Sequence, residues 1–130
     1  MIINFIRDDE TVASISDIEV LTTGMEHMRG YMLTDRVDAK PLLFKLRMTT
    51  IRNLTMKNVS FDVTAYVLSG NRVIQIVNME AGMNKYMTEP SNIIIEVPSD
   101  YNLDITLGDS VSFIEEKEEG SLPSSNSDNL

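Results

Sequence analysis

The run Val59-Ser60-Phe61-Asp62-Val63-Thr64-Ala65-Tyr66-Val67-Leu68, followed by Ser69-Gly70-Asn71 and then Arg72-Val73-Ile74-Gln75-Ile76-Val77, decides the fold class. Val59, Phe61, Val63, Ala65 and Val67 fall on one side of a two-residue period, and Ser60, Asp62, Thr64 and Tyr66 on the other. Such alternation describes a strand with one buried and one wet face. Ser69-Gly70-Asn71 is a short polar link containing glycine, and the residues after it are again β-rich, so the two runs form a hairpin. A hairpin of this kind needs neighbours and a second apolar layer over its buried face. The expected fold is therefore mainly β: an antiparallel, immunoglobulin-like β-sandwich with one or two short helical segments.

Working outward, Ile2–Ile6 reads as a first strand, closed by the polar turn Asp8-Asp9-Glu10-Thr11. Residues 12–23 show no clean period, although Ile18–Thr22 could form a strand. Met25, Met28, Tyr31 and Met32 have helical spacing, weakened by Gly24 and Gly30. Methionine fills irregular gaps in cores, so these side chains are expected inside. After Pro41, alternation over Leu42–Met48 gives a clear strand, and Arg52–Asn58 reads as a polar connector. Residues 78–91 carry Met79, Met83 and Met87 at a spacing of four, which fits a helical turn or a loop packed on the sheet. Ile93-Ile94-Ile95-Glu96-Val97 is a buried strand stopped by Pro98-Ser99-Asp100. Leu103, Ile105 and Leu107 alternate with polar residues, Gly108-Asp109 turns the chain, and Val111 and Phe113 begin the last strand. One β-rich domain is expected over residues 1–114, and residues 115–130, acidic and rich in serine and asparagine, read as a disordered tail.

At 130 residues the chain is long enough for one domain with a real core. It has no cysteine, which removes disulfides, cysteine-ligated zinc, iron–sulfur clusters and thiol nucleophiles. The first residues are too short for a signal-peptide core, and no apolar run approaches the roughly 20 residues of a membrane helix. The net charge of −9 argues against general nucleic-acid binding, which depends on neutralising phosphates. That charge is uneven: residues 36–57 carry +5, leaving −14 elsewhere. Lys45 and Arg47 within that block fit the wet face of a strand.

No chemistry declares itself. His27 is the only histidine, with no nucleophile motif beside it, so a packed or surface role is expected over that of a general base. Asp100, Asn102 and Asp104 match the opening of a calcium loop, but Ile105 and Val111 occupy the positions of its glycine and its bidentate glutamate. They read as a turn and a strand face. No catalytic, cofactor-binding or metal-ligating residue is therefore assigned, and the protein is expected not to be an enzyme.

The order of Asn53-Leu54-Thr55, the Val-x-Phe-x-Val strand Val59–Val63, the glycine turn, Arg72–Val77, Pro98-Ser99-Asp100 and Gly108-Asp109 resembles the immunoglobulin-like N-terminal domain of phage baseplate upper proteins, over roughly residues 41–116. That resemblance implies a non-catalytic virion component docking to neighbouring tail proteins, and it transfers no site residue. The expected function is accordingly that of a structural or adaptor protein acting by protein–protein contact, as a homo-oligomer or hetero-complex, without nucleic acid or membrane. Its edge strands and the segments Met25–Met32 and Met79–Met87 would dock. Two alternatives are a small acidic inhibitor of a nucleic-acid-binding host enzyme in the cytoplasm, motivated by the charge, and a carbohydrate-binding sandwich using tyrosines, with Tyr66 on the outward face.

Overall fold

The computed structural model of the protein describes residues 1–82 and 84–115. The strands are β1 (Ile2–Arg7), β2 (Glu10–Ile15), β3 (Glu19–Leu21), β4 (Leu42–Thr50), β5 (Asn53–Thr55), β6 (Val63–Ser69), β7 (Arg72–Met79), β8 (Lys85–Met87), β9 (Ser91–Pro98) and β10 (Ser110–Ile114). One α-helix, α1 (Gly24–Arg29), and two single 3₁₀ turns, Arg36–Asp38 and Ser99–Tyr101, complete the elements. The fold is mainly β with short helical segments, as the alternation predicts.

Eight strands form one continuous sheet in the order β2-β1-β10-β7-β6-β9-β4-β3, and β5 pairs with β8 apart from it. Every pairing is antiparallel except β3 with β4, whose three residue pairs run parallel. The predicted hairpin is β6–β7: Ser69 pairs with Arg72, and Gly70 takes φ 62° in the turn between them. That left-handed conformation suits a residue without a Cβ. The strand begins only at Val63, because Val59 and Phe61 belong to the loop entering it.

The sheet curls back on itself. Phe5 of β1 and Tyr66 of β6 lie three strands apart in the ladder, yet their ring centroids are 5.8 Å apart. In a flat sheet that separation would be roughly 14 Å, at 4.7–4.9 Å per strand. The corner is the junction of β10 with β7, where the ladder narrows to the single pair Ser110–Arg72. Inside the curl lies one core, with Ile3, Phe5 and Ile15 against Tyr66, Leu68, Ile95 and Val97. The outer face of β4, β6 and β9 carries a second core, with Leu42, Phe44, Val63, Ala65 and Ile94 covered by Leu21, Tyr31, Met56 and Val59.

Two layers of cover bury both faces of β6, which corrects the expectation of a wet face: Thr64 and Tyr66 are buried, Tyr66 to 5% exposure. Central strands in a sheet covered twice read as continuous apolar runs, and period 2 alone does not show how many faces are covered. Other expectations change for local reasons. The connector Arg52–Asn58 and the methionine-spaced segment 78–91 each supply a three-residue strand, β5 and β8, which pair with one another. Leu103–Leu107 is irregular, and only Ile105 of its alternating apolar residues is buried.

A clamp ties the end of β1 to the turn that precedes β10. Arg7 donates from Nε to Asp109 Oδ1 at 2.8 Å and from Nη2 to Oδ2 at 2.9 Å, and the Thr106 amide adds a third bond at 2.8 Å. Asp109 is 2% exposed. Its carboxyl is held below the usual aspartate range by the Arg7 hydrogen bonds first, and the arginine is raised in turn.

Candidate functional site

The most distinctive surface is a groove between α1 and β4. The helix starts with a capping box: Thr23 Oγ1 accepts from the Glu26 amide at 3.1 Å, and Glu26 Oε1 accepts from the Thr23 amide at 3.1 Å. These bonds hold Glu26 below its ordinary value, with the Thr22 amide contributing most. His27 anchors the helix, with Nε2 at 2.9 Å from the Leu21 carbonyl and its ring 5.5 Å from that of Phe44. The same turn of helix then points Met25 and Met28 outward, 84% and 78% exposed. This corrects the expectation that they fill the core. Of the other methionines on the predicted docking segments, Met79 is buried, Met32 half-buried and Met87 exposed, while Met83 lies outside the described residues.

β4 is the opposite wall, and its outer half has no ladder partner. Its pairing with β3 ends at Phe44, and its pairing with β9 stops at Lys45 and resumes only at Thr50. Residues 46–49 are therefore unpaired on both sides. Lys45, Arg47, Met48 and Thr49 are all exposed there, Met48 to 71%. Among the described residues no ion pair satisfies Lys45, Arg47, Arg52 or Lys57. Arg29, also beside the groove, is paired with Glu19 at 3.2 Å.

One end of the groove deepens into a cavity of about 260 Å³. Phe44, Leu46, Met56, Val59 and Ile94 form apolar walls, and Arg52 and Lys57 stand among its lining residues. Glu96 also lines it, from the buried strand β9, between Leu42 of β4 and Ala65 of β6 in the ladder. Glu96 is 7% exposed, and among the described residues nothing donates to its carboxyl group or pairs with it. Its backbone carbonyl is occupied, accepting from the Tyr31 hydroxyl at 3.1 Å. Burial alone pushes the Glu96 carboxyl up to about 7.

The residues weighed from sequence are otherwise engaged. Asp100 accepts from Arg36 at 2.9 Å, Asn102 closes the second 3₁₀ turn at φ 51°, and Asp104 lies 3.6 Å from Arg7. Among the described residues no group of three or more His, Cys, Asp or Glu could hold a metal ion. None of the four tyrosines is exposed: Tyr31 and Tyr66 are buried, Tyr86 and Tyr101 half-buried. A carbohydrate platform built on Tyr66 therefore has no surface. The predicted acidic tail falls almost wholly outside the described residues, and no described helix is long and apolar enough to cross a membrane. Glu96 went unnoticed in the sequence, although one signal was present: it is the lone acid in an otherwise apolar buried run.

No curated protein matches the chain. Two solved structures share the fold. One, from Sinorhizobium meliloti 1021, is described as a candidate transcription regulator; it is 17% identical, with a TM-score of 0.75 over 85% of this chain and 91% of that one. The other, a protein of unknown function from Novosphingobium aromaticivorans DSM 12444, is 18% identical, with a TM-score of 0.71 over 86% of this chain and 84% of that one. At such identities the likeness concerns the fold alone. The family match covers residues 3–113, nearly all of the described chain, and includes every residue of the groove and cavity. By that match the protein belongs to the DUF192 family, described as an uncharacterized ACR.

Proposed function

We propose that the protein is a non-catalytic structural or adaptor domain that works by protein–protein contact, and that the unpaired stretch of β4 at residues 46–49 is its docking edge. The single observation behind this reading is that an open strand edge lies along a groove lined by Lys45, Arg47 and Arg52, none of them ion-paired among the described residues, with the exposed Met25 and Met28 on the adjoining helix α1. Unpaired strand backbone is a template for an added strand, and soluble proteins ordinarily cover or shorten it. Adaptable methionines beside it provide apolar contact.

The occupant that fits is β2 of a second copy. β2 is the free outer strand at the opposite end of the eight-stranded sheet. It is entered through Asp8, Asp9 and Glu10, all exposed, so its acidic end complements Lys45, Arg47 and Arg52. Such a contact joins two different surfaces, and repeated head to tail it closes into a ring or extends into a filament. Nothing in the family match or in the two structural likenesses concerns a phage particle, and the proposal stands without one.

Light scattering after size-exclusion chromatography tests it. A discrete oligomer is expected at about 50 mM salt and dissociation by about 500 mM, where charge steering is screened over a few ångströms. A monomer at low salt and at a protein concentration of about 100 µM, well above typical Kd values for specific contacts, would overturn it.

A further inference from the structure

The geometry points to a second function for the cavity beside the groove: we propose that it binds a small amphoteric molecule of the free amino-acid class, with its primary amine on Glu96, its carboxylate on Arg52 and Lys57, and an apolar side chain between Phe44, Leu46 and Ile94. The site adjoins the subunit contact and shares Leu46 and Arg52 with it, whereas Glu96 and Lys57 take no part in that contact.

Three observations support this reading. Glu96 is more than nine-tenths buried, lines the cavity and has no side-chain partner among the described residues. A buried carboxyl group without a donor is costly, and a ligand amine would supply both the donor and the opposite charge. Burial favours the protonated acid, and an ammonium group brought against it would draw the carboxyl back to its ionised form. Secondly, the basic side chains lining the cavity come from the other elements: His27 and Arg29 from α1, and Arg52 and Lys57 around β5. His27 is tied to the Leu21 carbonyl and Arg29 to Glu19, which leaves Arg52 and Lys57 to receive an anion. Tyr31 also lines the cavity, but its single hydroxyl proton is shared between the Lys40 and Glu96 carbonyls. Thirdly, the walls between these two poles are apolar, and about 260 Å³ falls below the range of roughly 300–1,000 Å³ typical of drug-sized ligands. A compact molecule with opposite charges at its ends and an apolar body matches all three. A metal ion does not: Glu96 is the one carboxylate lining the cavity, and among the described residues no group of three or more His, Cys, Asp or Glu could hold one.

Calorimetry on the full chain with four probes tests the assignment: leucine, methionine, isopentylamine, which lacks the carboxylate, and isocaproate, which lacks the amine. Leucine or methionine should bind, isopentylamine about tenfold more weakly, and isocaproate not at all, since charge-assisted hydrogen bonds carry the recognition. Glu96→Gln should lose at least ~10-fold in affinity for the amino acid while keeping its native circular dichroism. The double variant Arg52→Ala with Lys57→Ala should bind leucine no better than isopentylamine, and should bind isopentylamine as the wild type does. As a readout besides affinity, the carboxyl carbon of Glu96 should titrate at lower pH with ligand than without. No heat from either amino acid up to about 10 mM, beyond the weakest range of specific binding, would overturn the proposal. So would equal binding by wild type and Glu96→Gln.

Discussion

Between about pH 4 and pH 8 the wild-type protein loses about 3 kcal/mol of stability relative to the Glu96→Gln variant. The cause is the buried carboxyl on β9, which titrates near 7 in the folded protein against an ordinary value of 4.5. Below the ordinary value both folded and unfolded chains hold the proton, and the group is neutral in each. Between the two values only the unfolded chain has released it, so rising pH favours unfolding. Above about 7 both are ionised and the difference stops growing. The sign is opposite to that of an acid paired with arginine. Urea unfolding at a series of pH values, on wild type and Glu96→Gln side by side, checks it. The difference between the two curves should change across that window and level off above it, and parallel curves would show that the carboxyl is not desolvated. Together with the binding assay, this gives a combined signature. The same substitution relieves a strain on the fold at high pH and removes the amine site, as expected when a buried charge serves recognition instead of stability.

Asp109→Ala destabilises the protein by about 2 kcal/mol, the cost of breaking a part-buried, charge-assisted hydrogen-bonded pair from one side. The aspartate is the acceptor for Arg7 and for the Thr106 amide at the corner where β10 meets β7. The clamp ties β1 to the turn whose backbone reaches across to β7: the Val73 amide donates to the Asp109 carbonyl at 3.0 Å and the Gly108 amide to the Val73 carbonyl at 2.8 Å. Asp109→Asn keeps the shape and one acceptor, and should lose less. Because the folded carboxyl lies below its ordinary value, its stabilising contribution is complete above the ordinary value and disappears as pH falls through the depressed one. Chemical denaturation at neutral pH, with an unchanged m-value, is the check. A change below about 0.5 kcal/mol, the range of an ordinary surface substitution, would show that the corner holds without the clamp.

Where local pattern and tertiary context agree, the fold is legible in the sequence. The β6–β7 hairpin, the long strand β4 and the Ile-rich strand β9 each carry a strong apolar run bounded by Gly, Pro or Asn. β5 and β8 were not visible because a strand of three residues has no period to detect, and Asn53-Leu54-Thr55 looks like any polar connector. Tyr66 misled because alternation reports side-chain polarity, and a tyrosine can be buried on a face that looks wet. Met25 and Met28 misled in the opposite direction: helical spacing located the helix, but His27, packed on Phe44, set which side faces inward. The site was the least legible part. Its cations were visible as a +5 block, yet the open edge at residues 46–49 exists only because β3 ends at Leu21 and β9 breaks register. Glu96 could have been flagged as an acid that no strand core accommodates without a reason.

The central claim is that β4 of one copy receives β2 of the next, and complementary charge reversal tests it most directly. One variant carries Lys45→Glu and Arg47→Glu; the other carries Asp8→Lys, Asp9→Lys and Glu10→Lys. Alone, each has like charges at both of its docking surfaces and should be monomeric by light scattering. Mixed in equal amounts, every β4 edge again faces an oppositely charged β2, and the mass of the wild-type assembly should return. A mixture that stays monomeric, or single variants that assemble like the wild type, would contradict the account.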